Sequence, residues 1–138
     1  MIQTRGERNN NPGNIDRTTI LWQGMANDQS TDSRFIVFEA ATWGIRALGK
    51  VLLGYYRVHG LNTVRGLIDR WAPPSENNSG AYVNHVASQM GVGIDAPLTV
   101  DDPECLEGLC RAIIQHENGH VSYDDATIIK AVDSALEA

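Results

Sequence analysis

At 138 residues and 15.1 kDa, with 42% hydrophobic and 20% charged residues, the chain suits a single domain spanning 1–138 around one core. No stretch nears the roughly 20 continuous apolar residues of a membrane span, and the opening residues lack the apolar centre of a secretory signal, so no membrane insertion and a soluble cytoplasmic product are expected. Residues 1–72 carry nine Lys and Arg against six Asp and Glu (+3), and residues 73–138 two against eleven (−9); an acidic chain without a basic run lacks the electrostatic footprint of a nucleic-acid binder.

The first forty residues are turn-rich, with Asn9–Asn14 the densest breaker cluster. Ile20–Gln23 and Arg34–Phe38 read as two short strands paired in a small hairpin. From about Ala40 the pattern turns helical: Ile45, Leu48 and Leu52 recur at three and four residues, and Gly60 reads as the stop. Thr63–Trp71 is a short helix ended by Pro73-Pro74. Ser79 can cap a helix carrying Tyr82, Val86 and Met90, with Gly91 beyond its end. Asp102 caps the best-formed helix, Pro103 takes its first turn, and Leu106, Leu109, Cys110, Ile113 and Ile114 form its buried stripe. That helix is expected to stop at Asn118-Gly119, and a last one runs from Asp124 or Asp125 to Leu136. The fold class read from this is mainly α, α+β in detail, with a small N-terminal β-hairpin. Cys105 and Cys110, five residues apart on one helix, diverge too far to bridge and are expected as reduced, buried thiols.

Chemistry concentrates in Arg111–His120. His116-Glu117-x-x-His120 matches the zinc-protease pattern, which needs both imidazoles on one helical face and Glu117 as base for a metal-bound water. Asn118-Gly119 between them should end the helix and break that geometry, so no metal is expected. The other reading uses Glu117 alone. A carboxyl at the C-terminal end of a buried helix meets partial desolvation and the negative pole of the dipole, both of which favour the protonated acid. That is what a general acid needs to protonate a glycosidic oxygen.

Glu7 is a rival carboxylate. Its neighbours Arg5 and Arg8 favour the ionised form, suited to a base or an electrostatic stabiliser, or simply to a surface ion pair. The Asn-rich turn is explained by left-handed geometry, or by Asn11 and Asn14 pointing amides at sugar hydroxyls. Trp71 and Tyr82 could line a sugar cleft, or be core. Trp22 and Trp43 are assigned to the core, and His59 and His85 to helix surfaces. An isolated acid cannot position a sugar, so the Asn9–Asn14 turn is expected to face Glu117 across a cleft joining the two halves.

Arg5-Gly-x-Arg8-Asn-Asn-Asn-Pro-Gly-Asn-Ile15, Trp22-Gln-Gly24, Phe35-x-x-Phe38 and Gly44-Ile-Arg-Ala47 together resemble a family of small bacteriophage proteins regarded as lysozyme-like. Arg70-Trp-Ala-Pro-Pro-Ser-Glu-Asn77, Tyr82 and His116-Glu-Asn-Gly119 extend the resemblance over nearly the whole chain. Bacterial glucosaminidases of the lysozyme superfamily are similar piece by piece, but their catalytic Glu helix comes first, which implies a circular permutation here with Glu117 as the acid. Glu117-Asn-Gly119, Tyr123 and Asp124-Asp125 are also similar to a phage-lysozyme segment, which offers Asp125 as a second carboxylate; no matching Thr follows it.

The resemblance implies a lysozyme-like monomer, made in the host cytoplasm, that acts on bacterial peptidoglycan after release or as part of the virion. It would cleave β-1,4 bonds between amino sugars without a cofactor. Muramidase, glucosaminidase and lytic transglycosylase stay open, as do an inactive wall-binding module and the zinc protease.

Overall fold

A computed structural model describes residues 3–75 and 77–138. Its regular elements are helices: α1 (Arg5–Arg8), α2 (Ala41–His59), α3 (Val64–Trp71), α4 (Ser79–Met90), α5 (Pro103–Asn118) and α6 (Asp125–Glu137). Their ends follow local chemistry. The side chains of Thr63, Asp102 and Asp124 accept from the backbone N–H of Gly66, Cys105 and Thr127, meeting donors that have no partner inside the helix. Gly60, Gly91 and Gly119 end their helices in the left-handed region at φ 67°, 69° and 80°. Asn78, rather than Ser79, caps α4. The single turn of α1 was not expected; Thr4 and Glu7 form a reciprocal capping box around it.

Helix α2 lies along α6, α5 packs on α2, α4 and α6, and α3 rests on α4. Leu48, Leu52, Leu67, Ile68, Val86, Leu106, Leu109, Ile113, Ile114 and Ile128 are all fully buried between them. Each such side chain contributes about 1.5–3 kcal/mol by leaving water. Cys105 is half-buried and Cys110 buried, both as free thiols; burial, then Glu107, pushes the Cys110 thiol up to about 12.

The expected β-hairpin does not form, and the α+β assignment is corrected to all-helical. Residues 34–38 make only two isolated bridges, Asp16 with Phe35 and Met25 with Phe38. The Ile20–Gln23 segment pairs with neither, and Ile20 and Leu21 stand 57% and 88% exposed. The reason lies in competing hydrogen bonds. The Val37 N–H donates to Gln29 Oε1, and the Phe35 and Arg34 N–H groups donate to Asp32. Asn10, Asn11 and Gln29 amides donate to the Phe38, Ile36 and Val37 carbonyls. Side chains thus satisfy backbone groups that a partner strand would otherwise need to meet.

This irregular segment is seated on α2 through a second small core of Ile36, Phe38 and Ala47, flanked by Ile15, Trp22, Met25 and Trp43. Its closest approach is at Gly44, where an added Cβ would lie 1.8 Å from the Asn10 carbonyl oxygen. Only a residue without a side chain lets the Asn-rich turn touch the helix there. Gly44→Ala should therefore displace the turn from α2 and cost about 1–3 kcal/mol or more, read as a lower midpoint in denaturant unfolding.

Candidate functional site

The end of α5 is stitched to the N-terminal turn by Asn118. Its Nδ2 donates to the Pro12 carbonyl at 2.8 Å and the Ile114 carbonyl at 2.9 Å, and its Oδ1 accepts from the Thr4 hydroxyl at 2.6 Å. Within the turn, Asn10 and Asn14 occupy the left-handed region at φ 53° and 52°, where Asn is among the tolerated residues. The result sets the turn against Glu117, as expected from the sequence. Asn14 Nδ2 donates to Glu117 Oε1 at 3.0 Å, and the Tyr82 hydroxyl donates to Glu117 Oε2 at 2.8 Å.

Glu117 opens on a cleft of about 400 Å³, whose lining includes Asn14, Asp16, Trp22, Arg34, Phe35, Tyr55, Trp71 and Asn77. That volume falls in the roughly 300–1,000 Å³ range of small-ligand sites. Four aromatic side chains sharing the lining with the Glu117 carboxyl give apolar faces against which a sugar ring can stack and a group that can exchange a proton with it. Among the described residues of the acidic half of the chain, Asn77 and Glu117 reach the lining.

The residues singled out from the sequence fall in different places. Asn14, Trp71 and Glu117 line the cleft. Asn11 does not: it is fully buried, its Nδ2 donating to the Ile15 and Ile36 carbonyls while its Oδ1 accepts from the Ile15 N–H. It holds the turn and has no surface to offer a sugar. Tyr82 is 3% exposed and stands behind Glu117. Burial first, then the Glu117 carboxylate, drives its hydroxyl far above the ordinary phenol range, against an opposing hydrogen bond from Trp71. Asp125 is 82% exposed at the start of α6 and pairs with Arg111 at 2.8 Å, outside the cleft lining.

Glu7 is also away from the cleft lining. Its Oε1 accepts from the Thr4 N–H at 2.8 Å, and its Oε2 takes the Ser122 hydroxyl and, at 3.0 Å, His120 Nε2. The Ser122 and Thr4 hydrogen bonds, with a smaller part from His120, overcome desolvation and hold this carboxyl down at about 2. The arginine neighbours are not its partners: Arg5 pairs with Asp32 at 2.7 Å and holds that buried carboxylate well below its usual range.

A folded-state value below the unfolded value of about 4.3 means that Glu7 adds stability above that pH and loses it as pH falls toward 2. Glu7→Gln should therefore lower the melting temperature at pH 7. The gap to the wild type should close between about pH 4 and pH 2, as followed by thermal unfolding across that range.

The His-Glu-x-x-His residues are engaged on separate partners. His120 contacts Glu7, whereas His116 stacks on Tyr82 with ring centroids 3.7 Å apart and meets His85, Nδ1 to Nδ1, at 2.8 Å. Burial, then the neighbouring His85, lowers the His116 pKa, with Glu117 opposing. Among the described residues, no three His, Cys, Asp or Glu side chains converge as a metal site requires.

Several members of the site were missed in the sequence. Phe35, read as a strand residue, and Tyr55 line the cleft, and Trp22 lines it too while also packing against the small core, as the sequence suggests. The breaker-rich surroundings of Trp22 could have signalled a loop position. The His85–His116 contact joins residues 31 apart, and no sequence pattern announces it.

No model of a known protein family matches the chain. It is 35% identical over 122 residues to protein P5 of Pseudoalteromonas phage PM2, an alignment that covers 86% of this chain and 74% of that protein.

Proposed function

The chain belongs to the same family as protein P5 of Pseudoalteromonas phage PM2, and from that premise we propose that it is a phage-encoded enzyme that cleaves the glycan strands of bacterial peptidoglycan. Glu117 protonates the leaving oxygen of a β-1,4 bond between amino sugars. The observation that carries this reading is the placement of the Glu117 carboxyl in an aromatic-lined cleft, oriented by Asn14 and Tyr82. The resemblance of its motifs to small bacteriophage lysozyme-like proteins supports the same chemistry. Each carboxyl oxygen spends one lone pair on a donor from the protein, and the remaining lone pairs can carry the proton exchanged with substrate. Among the described residues, Asp16 is the other carboxylate of the cleft lining, ion-paired with Arg34.

Incubation with purified peptidoglycan, followed by reducing-end assay and mass spectrometry, tests the reading. Reducing ends identify a hydrolase and which sugar bears them; 1,6-anhydro products identify closure by the muramyl 6-hydroxyl. Intact strands that nonetheless bind the protein would replace the enzyme with a wall-binding module of the virion. One observation favours that second reading: both Glu117 oxygens already accept hydrogen bonds from the protein, as a structural carboxylate does.

A further inference from the structure

We propose that His116 is a positioning residue for Glu117, acting through the Tyr82 ring that it stacks against. The inference rests on the reading of Glu117 as the acid. His116 and Glu117 are consecutive on α5, so their side chains leave the helix about 100° apart. Glu117 turns to the cleft and His116 to α4. Tyr82 on α4 spans both, its ring against the imidazole at 3.7 Å and 23°, its hydroxyl donating to Glu117 Oε2 at 2.8 Å.

A phenolic O–H lies close to the plane of its ring, so the tilt of a buried tyrosine ring sets the plane in which its hydroxyl can donate. The stacked imidazole stands where the ring would swing toward α5, and so fixes that tilt. The imidazole is itself held by the 2.8 Å contact of its Nδ1 with His85 Nδ1. Such a contact is a hydrogen bond only while one of the two Nδ1 atoms carries a proton and the other keeps its lone pair. His85 lies one turn beyond Tyr82 on α4, so one helix supplies both the donor to Glu117 and the anchor for the ring that aims it.

The test compares His116→Ala, Tyr82→Phe and the double variant with the wild type, after circular dichroism has verified each fold. His116→Gln, which has no aromatic face, replaces the Ala variant should that one fail to fold. Without any substrate, the carboxyl-carbon NMR resonance of Glu117 should move in His116→Ala in the same direction as in Tyr82→Phe. It should return toward the wild-type position in His116→Phe, which restores a stacking ring. On purified peptidoglycan, His116→Ala should lower kcat about 10- to 100-fold, the effect of a small misplacement, with KM unchanged. The double variant should be no slower than Tyr82→Phe alone, because both changes remove one interaction. An unmoved Glu117 resonance in His116→Ala, or rate losses that multiply in the double variant, would overturn the proposal. Should the wild type leave peptidoglycan intact, the enzymatic reading falls, and the NMR comparison still decides whether His116 positions Glu117.

Discussion

Glu117→Gln should abolish glycan cleavage while leaving the fold close to intact. The amide keeps the size and shape of the carboxyl but has no proton to give up, and removing a general acid of this kind costs on the order of 10²–10⁴ in rate. The hydrogen bonds around it tolerate the change. Asn14 Nδ2 is a fixed donor and can keep the amide oxygen, whereas the Tyr82 hydroxyl can rotate to accept from the amide nitrogen. Turnover of purified peptidoglycan, measured beside a thermal melt of the same preparation, checks both halves of the expectation. Wild-type turnover in a well-folded Gln variant would remove Glu117 from the chemistry.

The second large effect concerns stability. Asn11→Ala should lower the melting temperature by on the order of 10 °C. The Asn11 side chain is fully buried and meets three backbone groups: the Ile15 N–H and carbonyl and the Ile36 carbonyl. Alanine leaves the Ile15 N–H and the Ile36 carbonyl without this partner, while the Ile15 carbonyl keeps the Ile36 N–H at 3.0 Å, and each buried polar group left unmet costs about 1–3 kcal/mol. Those bonds also join the Asn-rich turn to the segment that carries Phe35, so the cleft should loosen with the fold. Asn14→Ala is the contrasting variant: it removes the donor to Glu117 Oε1 at a half-buried position, and should reduce activity with a much smaller change in melting temperature. Differential scanning calorimetry of the two variants separates them, and equal melting temperatures would show that Asn11 does not hold the turn.

The helical body was legible because its signals are local. Apolar residues at three- and four-residue spacing mark buried faces. Asp102, Asp124, Gly60, Gly91 and Gly119 act on backbone groups within a turn of themselves, and the five longer helices begin and end within a residue or so of the expected places, with Asn78 in place of Ser79 capping α4. Glu117 at the close of α5 was legible for the same reason, and the Asn-rich turn was legible as a turn. The first forty residues misled because alternating apolar residues in 34–38 look like a strand whatever satisfies their backbone. There side chains of Asn10, Asn11, Gln29 and Asp32 share the pairing with scattered main-chain groups of Asn9, Ile15, Arg17 and Ala26, and such capping leaves no periodic trace.

By itself, then, the sequence determined the five longer helices, the buried stripes that pack them and the position of a carboxyl group at the end of one of them. Propensity, capping and periodicity all operate over a few residues. Tertiary structure alone decided which side chains meet that carboxyl. Asn14 is 103 residues from Glu117 and Tyr82 is 35 away, and nothing local separates the buried Asn11 from the cleft-lining Asn14. It also decided that Glu7 would bond to Ser122 and His120 instead of its arginine neighbours. Hydrogen bonds and ion pairs act at a few ångströms, so their partners are set by how the helices bring distant segments together.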